Sequence, residues 1–271
     1  MSFKVDELIE LQKKGKPFVS AVLLRRLLAR QLVNIYLYKY KQTQMRKLLF
    51  AFLAMMMSAA GLAQQDTIRH EVLFETDKGN IRVVLFNETP LHRDNFLKLV
   101  NEGFYDGILF HRVIADFMIQ AGDSTTRHAK PGDSVGEHQP DYTIPAEIIY
   151  PKFFHKRGAL AAAREPDSDN PERASSSSHF YIVYGTTFSE LSLNRMQERI
   201  DEATQGKVKM TEDIRDYYRK YGGTPHLDGQ YTVFGEVVEG LKVVRDINYV
   251  RTDDYDRPID DVHIIKATVV K

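Results

Sequence analysis

The 271 residues contain no cysteine. Disulfides, thiolate zinc sites and cysteine nucleophiles are therefore excluded, whatever the compartment. An excess of one charge sign is missing too, because 37 Lys and Arg balance 37 Asp and Glu. That balance averages two unlike parts. Residues 1–44 hold nine basic and three acidic side chains, whereas residues 64–271 hold 26 basic and 34 acidic ones. A net-acidic body lacks the basic patch that nucleic acid requires, so no nucleic-acid partner is expected. The serines of the Pro/Ser/Asp-rich loop from Glu165 to Ser178 stand in no nucleophile elbow and have no base at a motif spacing. His128 and His138 lie ten residues apart in a turn-rich connection without an obvious third ligand. They read as surface residues, and no metal is expected.

A long apolar run is also lacking. Leu48 to Met57 is short for a membrane span of roughly 20 residues. It follows Met45-Arg46-Lys47 and precedes Ser58-Ala59-Ala60-Gly61-Leu62-Ala63. Basic, apolar and small-residue regions in that order predict a signal peptide over 45–63, with Gly61 and Ala63 suiting cleavage before Gln64. No Cys follows, which excludes a lipoprotein anchor. Met45 is then the expected true start and 1–44 a non-native upstream extension. The alternative is a cytoplasmic tail, since Leu8 to Tyr40 carries apolar residues at helical spacing among Lys and Arg. Whether 45–63 is a cleaved signal peptide or, the competing reading, an uncleaved transmembrane anchor, its basic flank stays cytoplasmic and the remainder is exported to the periplasm or another part of the cell envelope, with membrane contact only through an uncleaved 45–63.

From Glu71 the pattern is that of a folded body. Val72-Leu73-Phe74 and Ile81 to Phe86 read as strands around the turn Asp77-Lys78-Gly79-Asn80. Thr89-Pro90 predicts a helix start with Thr89 as N-cap, continued by Phe96, Leu99 and Val100 and stopped at Gly103. Leu109-Phe110 with Val113-Ile114, and then Phe117-Met118-Ile119, form two short runs, apolar on both faces. Arg112 and Gln120 interrupt them. One fixed charge and one amide beside an apolar surface is how a small-ligand site is built.

These residues carry a resemblance. Phe110-His111-Arg112-Val113-Ile114 followed by Phe117-Met118-Ile119-Gln120-Ala121-Gly122-Asp123 is similar to the signature of the cyclophilin-type peptidyl-prolyl cis-trans isomerases. The likeness runs from about Glu71 to Val270. Gly158 to Arg164 resembles the family's groove-lining Gly-x-Leu-x-x-Ala-Asn segment, with Arg164 in place of Asn. Ser178-His179-Phe180-Tyr181-Ile182-Val183 resembles its Ser-Gln-Phe-Phe-Ile strand. His226-Leu227-Asp228-Gly229 through Val233-Phe234-Gly235 resembles its Leu-Asp-Gly…Val-Phe-Gly run. His226 stands where many members have Trp, and Tyr231 where many have His.

The resemblance implies a mainly β fold, a closed eight-stranded antiparallel barrel capped by two α-helices. Between Thr186 and Pro225 this chain adds a helical insertion, about 187–224, with Leu193, Met196, Ile200 and then Ile214, Tyr217, Tyr218, Tyr221 at helical spacing and Thr211 as N-cap. The second capping helix is expected over Glu239–Ile247. Asp261–Val270 is expected as the closing strand, with Val262, Ile264, Thr268 and Val270 on one face.

By resemblance the site consists of Arg112, Phe117 and Gln120 as catalytic residues. Met118, Ala163, Arg164, His179, Tyr181, His226, Leu227 and Tyr231 bind substrate. Rotation about an X-Pro amide makes and breaks no covalent bond, so no cofactor is expected. The expected partners are proline-containing polypeptides in the course of folding, and the protein is expected to be a monomer. The alternative is a non-catalytic proline-peptide binding module or chaperone on the same fold.

Overall fold

The computed structural model describes residues 29–30, 32–42 and 69–271. The chain divides into two compact units, Met1–Gln65 and Asp66–Lys271. In the first, residues 29–30 and 32–42 are helical and exposed. The signal-peptide reading of 45–63 lies outside the described residues, as does most of 1–44. No described helix is long and apolar enough to cross a membrane.

The second unit is mainly β. Nine strands form one curled antiparallel sheet: β1 (Glu71–Thr76), β2 (Gly79–Leu85), β3 (Ile108–Leu109), β4 (Arg112–Ile114), β5 (Met118–Ala121), β7 (Ala159–Ala162), β9 (Phe180–Val183), β10 (Val233–Glu239) and β11 (His263–Val269). A separate two-stranded ladder joins β6 (Thr143–Ile144) to β8 (Ser175–Ser176). The large sheet runs β3-β11-β1-β2-β10-β7-β9-β5-β4. This differs from eight strands closed all round, because the run expected over Leu109 to Ile114 divides. Leu109 pairs with His263 of β11, and Arg112 pairs with Gln120 of β5. The chain steps between opposite sheet edges through Phe110 and His111 alone. Three Cα steps span at most about 11 Å, so the sheet must curl to bring its edges together. The edge amides are satisfied outside the ladder, Phe110 N–H by the Val262 carbonyl and Val113 N–H by that of Asp256.

Alternation along the strands makes two apolar faces. The inner face is filled by Val72, Phe74, Ile81, Val83, Leu85, Ile119, Leu160, Phe180 and Ile182, among others. Helix α1 (Pro90–Asn101) adds Phe96, Leu99 and Val100, and α4 (Leu241–Asn248) adds Val244 and Ile247. Phe180 lies inside, stacked on Phe74 and edge-on to Phe96 and Tyr105. The outer face carries a second cluster around Val84, Phe86, Met118, Ala159, Ala161, Tyr181, Val183 and Val233.

Three local expectations change. Thr89 does not cap α1; its hydroxyl turns back to the Phe86 carbonyl, and the Leu91 and His92 amides are capped by the Glu147 carboxylate from a distant loop. Glu239 belongs to β10, and α4 begins after Gly240, whose φ of +89° suits glycine. In β11 a bulge at Ile265, opposite Glu75 and Thr76, flips the alternation. Ile264 and Ala267 are therefore buried, while Val270 is exposed.

Helices α2 (Glu190–Thr204) and α3 (Glu212–Lys220) form where the spacing predicts them, and Thr211 caps α3 at the Ile214 amide. Leu193, Ile200, Met210, Ile214 and Tyr218 make their own buried cluster. Tyr221, expected on that apolar face, is exposed because the helix has already ended.

Candidate active site

Strand register assembles the site before any loop contributes. Arg112 lies opposite Gln120, Gln120 opposite Tyr181, and Tyr181 opposite Ala161. Residues opposite one another project to the same side of a sheet, so Arg112, Gln120 and Tyr181 form a lateral row on the outer face. Met118, two residues before Gln120, shares that face. The turn after β4 brings in Phe117, the residues after β7 bring Ala163 and Arg164, and the segment before β10 brings Leu227 and Tyr231. Together these nine side chains line one cavity of about 180 Å³. Two larger depressions adjoin it and meet each other at Gln120, Gly136 and Glu137. One, of about 560 Å³, shares Arg112 and Gln120; the other, of about 600 Å³, shares Gln120, Ala163 and Arg164. A small apolar slot opening onto a longer groove suits an extended peptide with one inserted side chain.

Arg112 is half-exposed. Its Nε donates to Asp256 Oδ2 at 3.2 Å. The Nη groups have no partner among the described residues, and neither has the Gln120 amide. Both are thus donors available to a ligand at the mouth of an apolar slot. The Ala163 N–H is already given to the His179 carbonyl, and its own carbonyl accepts from Ser176. The backbone groups of Arg164 have no partner among the described residues. The unspent backbone donor and acceptor therefore sit one residue further on.

Arg164 offers the ligand no charge of its own. Its side chain is 3% exposed and paired with Asp167, with Nε on the Gln230 carbonyl. Its guanidinium lies over the Tyr231 ring, 4.4 Å from the centroid. Two of the departures from the family pattern thus pack on each other by a cation–π contact. His226 does not line the slot; it stacks on the back of Phe117 with centroids 5.4 Å apart. Burial and the neighbouring His155 push its pKa down to about 4. His179 faces the adjoining trough, its Nε2 bonded to the His138 carbonyl. Burial lowers its pKa also.

Several participants carry no local sequence signal. Asp256 meets Arg112 across 144 positions. His155, 1% exposed, sits under the slot with Nδ1 on Asp228 Oδ1 at 3.0 Å and Nε2 on the Tyr181 hydroxyl at 3.0 Å. His111, between β3 and β4, is buried with neither ring nitrogen hydrogen-bonded among the described residues. Burial and the nearby His179 push its pKa down to about 3. Gly132-Asp133-Ser134-Val135-Gly136 has the spelling of a nucleophile elbow, but it lies in an irregular loop and not between a strand and a helix. Its Gly136 is needed for space, since a Cβ there would stand 2.7 Å from the His111 ring. No group of three or more His, Asp or Glu that could hold a metal occurs among the described residues.

Known proteins match this arrangement. The family described as cyclophilin type peptidyl-prolyl cis-trans isomerase/CLD matches residues 71–269. A Staphylococcus aureus (strain USA300) protein named "Putative peptidyl-prolyl cis-trans isomerase" is 34% identical over 204 residues, covering 74% of this chain and 91% of the relative. Its Staphylococcus haemolyticus (strain JCSC1435) namesake is 33% identical over 197 residues, covering 72% and 88%. A cyclophilin type peptidyl-prolyl cis-trans isomerase from Cryptosporidium parvum shares the fold with a TM-score of 0.52 at 24% identity, over 75% of this chain and 99% of that one. A second crystal structure of that protein, in the presence of the dipeptide Ala-Pro, gives a TM-score of 0.50 at 24% identity, over 74% and 99%. The matched span holds the whole curled sheet and every residue of the slot, and the chain belongs to the cyclophilin-type peptidyl-prolyl cis-trans isomerases.

Proposed function

We propose that the slot of Phe117, Met118, Tyr181 and Leu227 receives the proline ring of an extended client and that Arg112 lowers the barrier to rotation of the preceding amide. The barrier of roughly 20 kcal/mol comes from amide resonance. As the amide twists, the prolyl nitrogen regains a lone pair. A guanidinium donating to that lone pair acts in the twisted state and not in the planar one, which is the requirement for lowering a barrier. Arg112 supplies a permanent charge and rigid donors. Asp256 takes Nε and leaves the Nη groups for substrate. Gln120 and the Arg164 backbone hold the flanking residues.

The single observation that carries this reading is the pair of unspent donors, Arg112 Nη and the Gln120 amide, at the mouth of an apolar slot. The Ala-Pro dipeptide used with the Cryptosporidium relative is the kind of ligand such a slot accepts. Burying one proline ring contributes roughly 1–3 kcal/mol, so substrates bind weakly and leave fast. That suits folding clients. With residues 45–63 read as an export signal, the clients are exported proteins, and the protein acts as a monomer. Residues 187–224 are an insertion beside the slot that shapes client choice. The sheet edges, linked through Phe110 and His111, form the seam of a barrel.

The test is cis-to-trans exchange of a short X-Pro peptide by the wild-type protein and by Arg112→Ala. Activity lost in the variant, with folding unchanged, is the expected result. Near-wild-type activity in Arg112→Ala would remove Arg112 from the mechanism. Peptides from 1–44 recovered from the native protein would sink the assignment of that segment as non-native.

A further inference from the structure

Beneath the slot runs a chain of buried polar groups that the isomerisation chemistry does not use. Tyr218, on α3, donates its hydroxyl to Asp228 Oδ2 at 2.8 Å. Asp228 Oδ1 accepts from the His155 backbone N–H at 2.8 Å and from His155 Nδ1 at 3.0 Å. His155 Nε2 meets the Tyr181 hydroxyl at 3.0 Å. Relative exposures are 0% for Tyr218 and Asp228, 1% for His155 and 4% for Tyr181. A carboxylate only accepts, so Nδ1 carries the proton and Nε2 is left to accept from the tyrosine. Tyr181 therefore points its hydroxyl away from the slot and presents only its ring to the ligand.

Both walls of the slot depend on this chain. Asp228 directly follows Leu227 and closes its turn, with Asp228 N–H on the Pro225 carbonyl. Tyr181 is the other wall. The segment after α3 is built onto the same histidine, Thr224 N–H bonding the His155 carbonyl at 2.9 Å. Gly223 packs so closely that a Cβ there would stand 2.3 Å from that oxygen.

We propose that His155, oriented by Asp228, is a positioning residue for the proline slot, and that Tyr218 on the same carboxylate ties the α2–α3 helical pair to the slot wall. A fully satisfied buried network holds its members in one arrangement. Here that arrangement is the orientation of Tyr181 and Leu227. The inference rests on the reading of those two residues as slot walls.

The test is kcat and KM for X-Pro exchange by the full chain and by Tyr181→Phe, His155→Leu, their double variant and Tyr218→Phe. A loosened wall weakens ground-state and transition-state binding alike, so KM rises and kcat holds. His155→Leu is expected to raise KM about tenfold, because it strands the Tyr181 hydroxyl and takes a partner from Asp228. Adding Tyr181→Phe should cost nothing further, since both changes delete the same bond. Tyr218→Phe, remote from substrate, should raise KM about threefold. Should His155→Leu not fold, the two Tyr→Phe variants decide, as each removes one hydroxyl at nearly constant volume. KM within about twofold of wild type in the folded variants, or additive effects in the double variant, would overturn the proposal. Arg112→Ala and Leu227→Ala are run alongside. If both retain full activity, the slot itself is misassigned. If both lose activity while the His155 and Tyr218 variants keep wild-type KM, only the positioning role fails.

Discussion

The two faces of the sheet are made by the same strands and do different work. On β9, Phe180 and Ile182 point inward while Tyr181 and Val183 point outward. On β5, Ile119 and Ala121 go in while Met118 and Gln120 go out. The inner face is sealed and its side chains can only pack. The outer face is equally apolar in its middle, but Arg112 and Gln120 border it and it opens to solvent as a slot. Period-2 alternation thus puts stability and chemistry on adjacent residues. Neighbouring substitutions should therefore fail in different ways.

The sharpest contrast is Phe180 against Tyr181. Phe180→Ala empties a site packed by Phe74, Phe96 and Tyr105, and should cost about 3–5 kcal/mol of stability. Urea unfolding measures it. A loss below about 1 kcal/mol would mean the inner face is not the structural one. Arg112→Ala is the mirror case. It should lower kcat/KM by about 100- to 1000-fold, the scale of losing one donor aimed at developing charge. Its unfolding midpoint should hardly move, because the Arg112 and Asp256 side chains are 44% and 40% exposed. A variant that loses activity and stability together would break the separation of the faces.

Acid should act through buried histidines. His111 has its pKa pushed down to about 3 by burial and by His179. The unfolded histidine titrates near 6.5, so the unfolded chain holds the proton more tightly. The contribution of the neutral buried ring is complete above about pH 6.5 and is lost as pH falls towards 3. At pH 5 the loss is about 2 kcal/mol. His226, lowered to about 4, acts in the same direction. Urea midpoints at pH 7.5 and pH 5 should differ accordingly, and His111→Asn should remove about half of the difference, His226 keeping the rest. Equal midpoints in the wild type would contradict the buried neutral ring. The smallest effect belongs to Asp256→Ala. An exposed pair contributes under about 1 kcal/mol, so kcat/KM should fall only two- to fivefold or so. A collapse to the Arg112→Ala level would make Asp256 a partner in catalysis and not a guide for Nε.

Much of this was legible from local pattern. The hairpin around Asp77 and Lys78, α1 and the insertion helices follow from periodicity and turn chemistry, which act over a few residues. Arg112, Phe117, Met118, Gln120, Tyr181 and Leu227 are expected at the site from the family motifs they match, and the structure lines one cavity with them. His179 and His226 were read from the same motifs, yet the structure turns one into a side trough and stacks the other behind Phe117. Position in a motif does not state where a ring will find its hydrogen bond or its stacking partner.

What the sequence by itself determined is the first hairpin, the first capping helix and the insertion helices, because these depend on short-range order along one chain. Only the tertiary structure decided the partners. Glu147 caps α1 from 55 residues away, His155 meets Asp228 across 73, and Arg112 meets Asp256 across 144. It also decided that nine strands curl until β3 and β4 stand two residues apart. Such pairings depend on which distant segments fold to one place, and hydrogen bonds between them leave no periodic trace in either segment.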